Sequence, residues 1–180
     1  KKEITQLDWC HETHAYVDMS IFDETGKRWW VNDYMPIRRI FATPACRKLS
    51  AEWYEHPGLA QWRDQFKAGM DRVGGEVDKL LLEWGYAHDR EAGVYREVGE
   101  HPNRVALFAH AGFGRMFLST LLDISYPEIS IRTDMGHTGV TVIEFREREG
   151  VCIPRMLTYS NDAHIYAEHL PTHYNHREFI

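Results

Sequence analysis

Between Leu59 and Trp84 the apolar residues Trp62, Phe66, Met70, Val73, Val77, Leu80, Leu81 and Trp84 recur every three or four positions, with Arg, Asp, Lys and Glu between them. This is the period of an amphipathic helix that buries one stripe. Gly85 follows as its C-cap, and Gly74-Gly75 inside it predicts a kink or a close contact with a neighbouring element. From Arg104 the pattern changes. Val105-Ala106-Leu107-Phe108-Ala109 is a continuous apolar run of strand length, as expected for a strand buried on both faces of a parallel sheet. His110, Ala111-Gly112-Phe113-Gly114 and then Met116, Phe117, Leu118, Leu121 and Leu122 at helical spacing complete a strand, glycine turn and helix.

The flanking segments are less periodic. Glu3–Leu7 predicts a short strand, and the aromatic stretch Asp8–Asp33 predicts a long loop that packs down as a cover through Trp9, Tyr16, Phe22, Trp29 and Trp30. Short helices are expected over Met35–Phe41 and Pro44–Leu49, the second capped by Thr43. Val94–Val98 reads as an edge strand or hairpin arm. Thr138–Phe145 and Val151–Leu157 read as two strands joined by the charged turn Arg146–Gly150, followed by a helix over Ala163–Glu168 that Pro171 ends. The tail Thr172–Ile180 is expected on the surface or docked through Tyr174 and Phe179. With no repeat, low-complexity tract or linker, residues 1–180 form one domain.

Composition narrows the class. The 180 residues are 43% apolar and 27% charged, enough for a packed core and unlike a disordered chain. No run approaches the roughly 20 apolar residues of a spanning helix, and no secretory leader pattern opens the chain. A net charge of −6 repels phosphate backbones and anionic lipid, so neither nucleic acid nor a membrane is an expected partner, and an anionic substrate needs a local positive site. Cys10, Cys46 and Cys152, odd in number and far apart, fit free thiols in a reducing compartment and predict a cytoplasmic protein.

The chemistry centres on His110. It stands at the carboxyl end of the apolar run, where open α/β sheets bind ligands, and directly before a helix whose first N–H groups attract an anion. There an imidazole can donate to a phosphoryl oxygen, and the small residues Ala109, Ala111 and Gly112 let a ligand approach the backbone. A purely structural His, capping the helix, is the competing reading. His11/His14, His164/His169 and His173/His176 have ligand-like spacings, but no Cys pair or HExxH accompanies them, so surface histidines are expected and no metal is implied. Cys10 and His11, adjacent on an extended chain, point apart and do not make a nucleophile pair. Trp62, Phe66 and Trp84 are expected in the core.

Val105–Leu122, VALFAHAGFGRMFLSTLL, resembles the second-histidine motif of the histidine phosphatase (phosphoglycerate mutase-like) superfamily. The similarity continues through Gly136-His137-Thr138-Gly139 with VTVIEF, and through VCIPRMLTYSNDAH; upstream, ITQLDWCHET is similar to the family segment carrying a proton-donating Glu. The resemblance implies a three-layer α/β/α sandwich with a mostly parallel sheet and a loop-rich cap-like region over residues 8–60. It implies phosphomonoester hydrolysis through a phosphohistidine, with no cofactor. His110 would donate to the equatorial oxygens and Glu12 would be the acid that protonates the leaving group, its pKa raised by the aromatic cover. Ala111, Gly112 and His137 would contact phosphate, with His164 and Asn161 holding the same face. The partner implied is a small phosphorylated substrate or inorganic phosphate.

One departure is large. The family's first strand ends in Arg-His-Gly, whose His is the nucleophile, and no Arg-His-Gly occurs in this chain. Arg38-Arg39 comes too late in the order to replace it. The chain also begins Lys1-Lys2-Glu3 without Met. Both features imply the later portion of a longer protein, its sheet lacking the first strand and leaving an apolar gap beside the strand that ends at His110 unless another chain fills it. A phosphoglycerate-type mutase and a non-catalytic protein that binds a phosphorylated ligand or a protein partner are the alternatives, and a homodimer stays open.

Overall fold

The computed structural model describes residues 4–171. Its largest element is the helix read from the period of residues 59–84, observed as Arg63–Glu83. Phe66, Gly69, Val73, Gly74, Val77, Leu80 and Leu81 form its buried face. No kink occurs at Gly74-Gly75. A Cβ at Gly74 would meet Arg90 and Thr120 at ordinary van der Waals distance and one at Gly75 would meet open space, so no close approach requires glycine at either position. Gly85 ends the helix at φ +83°, with the carbonyls of Gly99 and Glu100 where a Cβ would lie.

In chain order the elements are α1 (Glu12–Asp18), β1 (Ser20–Phe22), β2 (Arg28–Trp30), α2 (Met35–Phe41), α3 (Pro44–Lys48) and α4 (Arg63–Glu83). β3 (Tyr86–Asp89), β4 (Val94–Glu97), α5 (Ala111–Leu122) and α6 (Tyr126–Arg132) follow. The last are β5 (Val140–Glu144), β6 (Glu147–Arg148), β7 (Val151–Cys152), β8 (Arg155–Asn161) and α7 (Ala163–Ala167), with short 3-10 turns at Asp8–Cys10, Ser50–Glu55 and Pro57–Leu59. No described helix is long and apolar enough to cross a membrane.

Several expectations need correction. Residues 4–7 form no strand. The stretch over residues 8–33 is not a loop but a 3-10 turn, α1 and the hairpin β1–β2, in which Ser20 pairs with Trp30 and Phe22 with Arg28. Asp23 closes that hairpin by accepting from the Thr25 and Lys27 N–H groups, and Trp29 Nε1 donates to its other oxygen. Short polar-flanked elements of this kind hold too few periods to show in hydropathy. α2 matches its expected span, and α3 starts as expected with Thr43 accepting from Cys46 N. β4 is the expected hairpin arm, paired with β3, and an inner strand instead of an edge of the four-stranded sheet β3-β4-β7-β6. The run after residue 151 splits into β7, which pairs with β4, and β8, which pairs with β5.

All described strand pairs are antiparallel, so the described residues form a mixed α/β fold, and no mostly parallel sheet of a three-layer sandwich is present among them. The apolar run 105–109 accounts for the difference. It forms no strand, and among the described residues its backbone takes part in no hydrogen bond. Val105 is 49% and Phe108 92% exposed. A stretch apolar on both faces needs strands on its edges and cover above and below, and the described residues supply neither.

The core lies elsewhere. Trp53 stacks on Tyr126 with ring centroids 5.5 Å apart and meets Phe41 and Phe66, joining α2, α4 and α6. Trp62 and Trp84 pack at its margin, and Phe113 and Met116 bring α5 into it. The tail from residue 172 onward, with Tyr174, Phe179, His173 and His176, lies outside the described residues.

Candidate functional site

α5 begins at the residue after His110. His110 is its N-cap, with extended backbone (φ −114°, ψ 164°), and its carbonyl accepts the first helical hydrogen bond from Gly114 N. Its imidazole makes no capping bond and is exposed. The next amides are engaged from a distant part of the chain. Gly112 N–H donates to Glu12 Oε1 at 3.0 Å and Phe113 N–H to Glu12 Oε2 at 2.9 Å. One carboxylate thus takes two of the donors that a helix N-terminus presents to an anion, where the end of the helix dipole also favours negative charge. Glu12 is the first residue of α1, not part of a loop, and His11 caps α1 by accepting from Thr13 N.

Close packing makes the seat. A methyl group on Gly112 would collide with Trp30 Cη2 and Glu12 Oε1, so only glycine admits both the indole and the carboxylate against the helix start. Tyr16 meets Trp30 edge-on at 5.1 Å, and the Arg28 guanidinium lies over the Tyr16 ring at 3.9 Å. Trp9 meets Phe113 edge-on at 5.4 Å. The expected aromatic cover over Glu12 is therefore present, built by α1 and the β1–β2 hairpin.

Behind the seat is a set of buried polar groups. Arg115, in the first turns of α5, is 5% exposed; its guanidinium donates to Asp134 Oδ1 at 2.9 Å, and its Nε has no hydrogen-bond partner. Tyr126 is fully buried, and its hydroxyl also lacks a partner. Burial drives the Tyr126 phenol far above its ordinary pKa; Arg115 opposes this, while the carboxylates of Asp33 and Glu12 add to it. The phenol therefore stays neutral within the field of the groups around the α5 start.

His137 lies on the turn that leads to β5. The turn is anchored to α5 through the Arg115–Asp134 pair and through Met135, which fills the space over Gly114. It is tied to β8 where Gly136 N–H donates to Ser160 Oγ at 2.8 Å. His164 Nε2 and Thr138 Oγ1 are 3.2 Å apart, and Asn161 Oδ1 accepts from Ala163 N to start α7. A cavity of about 280 Å³ lies between His137, Thr138, Ile165, Leu170 and Pro171. The structure thus brings Glu12, Ala111 and Gly112 together beside His110, and holds His137, exposed, two residues beyond Met135.

The lesser candidates resolve simply. Arg38 donates to the carbonyls of Asn32 and Ile131 and so ties α2 to α6. Cys10 is buried, and burial, only partly offset by Arg72, pushes its thiol up to about 11, so it is not a thiolate nucleophile. His11 and His14 approach as rings 6.2 Å apart. Sequence reasoning named Trp30 only as one of several covering aromatics and missed Arg115, Asp134 and Ser160 as site residues. Of these only Arg115 left a signal, a lone charge among the apolar residues of α5.

No family model, curated protein or solved structure matches the chain.

Proposed function

We propose that these residues form the larger part of a phosphomonoester hydrolase of the histidine phosphatase type, acting on a small phosphorylated substrate. The observation that carries the reading is the carboxylate held by two amides at the start of α5 beside His110. A phosphoryl group offers the same paired oxygens and more charge, so it fits the seat that Glu12 occupies. With phosphate seated, His110 donates to an equatorial oxygen. Glu12, displaced from the amides and adjacent, takes up a proton from solvent and gives it to the leaving oxygen as the P–O bond breaks and an incoming imidazole forms the N–P bond. Glu12 then takes a proton from water as the water oxygen bonds to phosphorus and the N–P bond breaks.

The nucleophilic imidazole comes from outside these 180 residues, on an apolar strand that pairs with residues 104–109. The exposure of those residues, whose backbone takes part in no hydrogen bond among the described residues, supports this, because a strand laid parallel to them ends its chain direction beside His110. Pairing there would bury Val105 and Phe108 and turn the described elements into a three-layer α/β/α arrangement.

Titration of the 180-residue chain with orthophosphate, followed through the backbone amide resonances of Gly112 and Phe113, tests the reading. Saturable shifts at both are expected, and His110→Ala weakens the binding about tenfold, equal to the loss of about one charge-assisted hydrogen bond. Absence of saturable shifts at these amides, or equal affinity in His110→Ala, refutes it.

A further inference from the structure

At the far end of the β5–β8 ribbon from Ser160 lies a second cavity, of about 150 Å³, bounded by Glu144, Arg146, Arg148, Val151, Ile153 and Arg155. Liquid water occupies about 30 Å³ per molecule, so the space is that of about five waters, enough for one tetrahedral oxyanion with a small substituent. Its walls come from the strand ends and from the β6–β7 hairpin, where Glu147 pairs with Cys152 and Arg148 with Val151. Arg148 lies on β6 and Arg146 directly before that strand, and both line the cavity. Arg155 stands opposite Glu144 in the β5–β8 register.

The charges here are unusual for the molecule. The chain as a whole is at −6, yet three guanidinium groups line one small space. Among the described residues none of the three guanidinium groups has an ion-pair or hydrogen-bond partner, and Arg155 makes no ion pair with its cross-strand neighbour Glu144. Arg72, Arg90, Arg96 and Arg115, by contrast, are held by Asp18, Asp78, Asp89 and Asp134. Three like charges held around one cavity repel each other, and an anion placed among them removes that repulsion.

We propose that this cavity is a binding site for a phosphate dianion, free or as the head of a small monoester, separate from the seat at the start of α5. Three Arg and one Glu in the lining give a net +2, which a dianion neutralises and a single carboxylate does not. The planar guanidinium fork pairs two oxygens at once, the geometry of phosphate recognition. Val151 and Ile153, the latter 66% exposed, give the rim an apolar side that suits a small hydrocarbon substituent on the phosphorus. The site is about four β-residues, roughly 13 Å of strand, from the turn that carries His137.

The same kind of titration separates the two sites. Orthophosphate and phenylphosphonate are added to the 180-residue chain while the amides of Arg146, Arg148, Val151 and Ile153 are followed independently of those of Gly112 and Phe113. Saturable shifts at the arginine cavity are expected, tighter for phenylphosphonate than for orthophosphate. Arg155→Gln and Arg148→Gln each weaken binding there about tenfold, while Glu144→Gln tightens it several-fold. Neither class of variant changes the response at Gly112. The arginines are exposed, so the variants keep their fold, which an unchanged melting temperature checks. A linear, non-saturating response at residues 146–153, or one unaltered by Arg155→Gln, overturns the proposal and leaves only diffuse counter-ion association. Failure at Gly112 and Phe113 with saturation here overturns the hydrolase reading but not this site.

Discussion

Replacing Glu12 with Ala removes the only described side chain that holds the Gly112 and Phe113 amides. Hydrogen bonds to a charged group contribute about 1.5–3 kcal/mol each, and a carboxylate at a helix N-terminus about 0.3–1 kcal/mol more. Glu12 is only half-buried, so water reaches the freed amides and the low end of the range applies. A net cost of about 3 kcal/mol follows, which for a chain of this length lowers Tm by about 6–12 °C. The vacated seat then serves an added anion better, because no internal carboxylate must leave first. Phosphate at about ten times its Kd returns about 1.4 kcal/mol to the variant by linkage, and less than that to the parent chain. Thermal unfolding by circular dichroism, with and without phosphate at constant ionic strength, measures both effects. A Glu12→Ala melting temperature within about 1 °C of the parent, or an equal phosphate increment in the two proteins, would show that the carboxylate is not held as an anion in a phosphate seat.

Two further outcomes are expected. His88 is enclosed, with Nδ1 3.0 Å from Asp78 and Nε2 3.0 Å from Asp123, its ring stacked on Tyr95 and Arg90 close by. Burial lowers its pKa, but the bonds to Asp123 and Asp78 outweigh burial and the net direction is up. Its contribution to stability is therefore complete below the ordinary histidine pKa of about 6.5 and is lost as pH rises through the higher folded-state value. Urea unfolding across about pH 6 to 8 should show that decline, and His88→Gln should remove it; a parent profile no steeper than the variant's refutes the assignment. Phe108→Ser should leave the stability of the 180-residue chain within about 0.5 kcal/mol, because a side chain 92% exposed has no packing to lose. A loss above about 2 kcal/mol in urea unfolding would mean that residues 104–109 are already packed in solution.

Much of the helical framework was legible from period alone. α4 and α5 each span at least three turns, so their hydropathy repeats enough times to be read, while Gly85 marks the end of α4 and Thr43 the start of α3 by backbone chemistry that does not depend on context. The hairpin β1–β2 escaped because three-residue strands contain no full alternation, and the Asp23 side chain that closes its turn looks like any polar loop residue. The splitting of residues 151–161 into β7 and β8 was equally hidden, since partner choice is made by strands far away in the chain.

The candidate site divides along the same line. His110 before a glycine-rich helix start stood out by residue type and local order, whereas Glu12 entered only through the resemblance. That the two lie together, and that Glu12 occupies the seat instead of flanking it, depends on a contact between residues one hundred positions apart. Sequence by itself determined α2–α5 and α7, the Thr43 and Gly85 caps and the apolar character of residues 105–109, because these follow from local propensity and from hydropathy at short spacing. Tertiary structure alone decided that this apolar run stands unpaired, that Trp30 and Gly112 shape the seat, and that Arg146, Arg148 and Arg155 converge. The formation of a sheet, a close approach or a charged cavity is fixed by which distant elements meet, and the spacing of residues along one strand or helix carries no record of that.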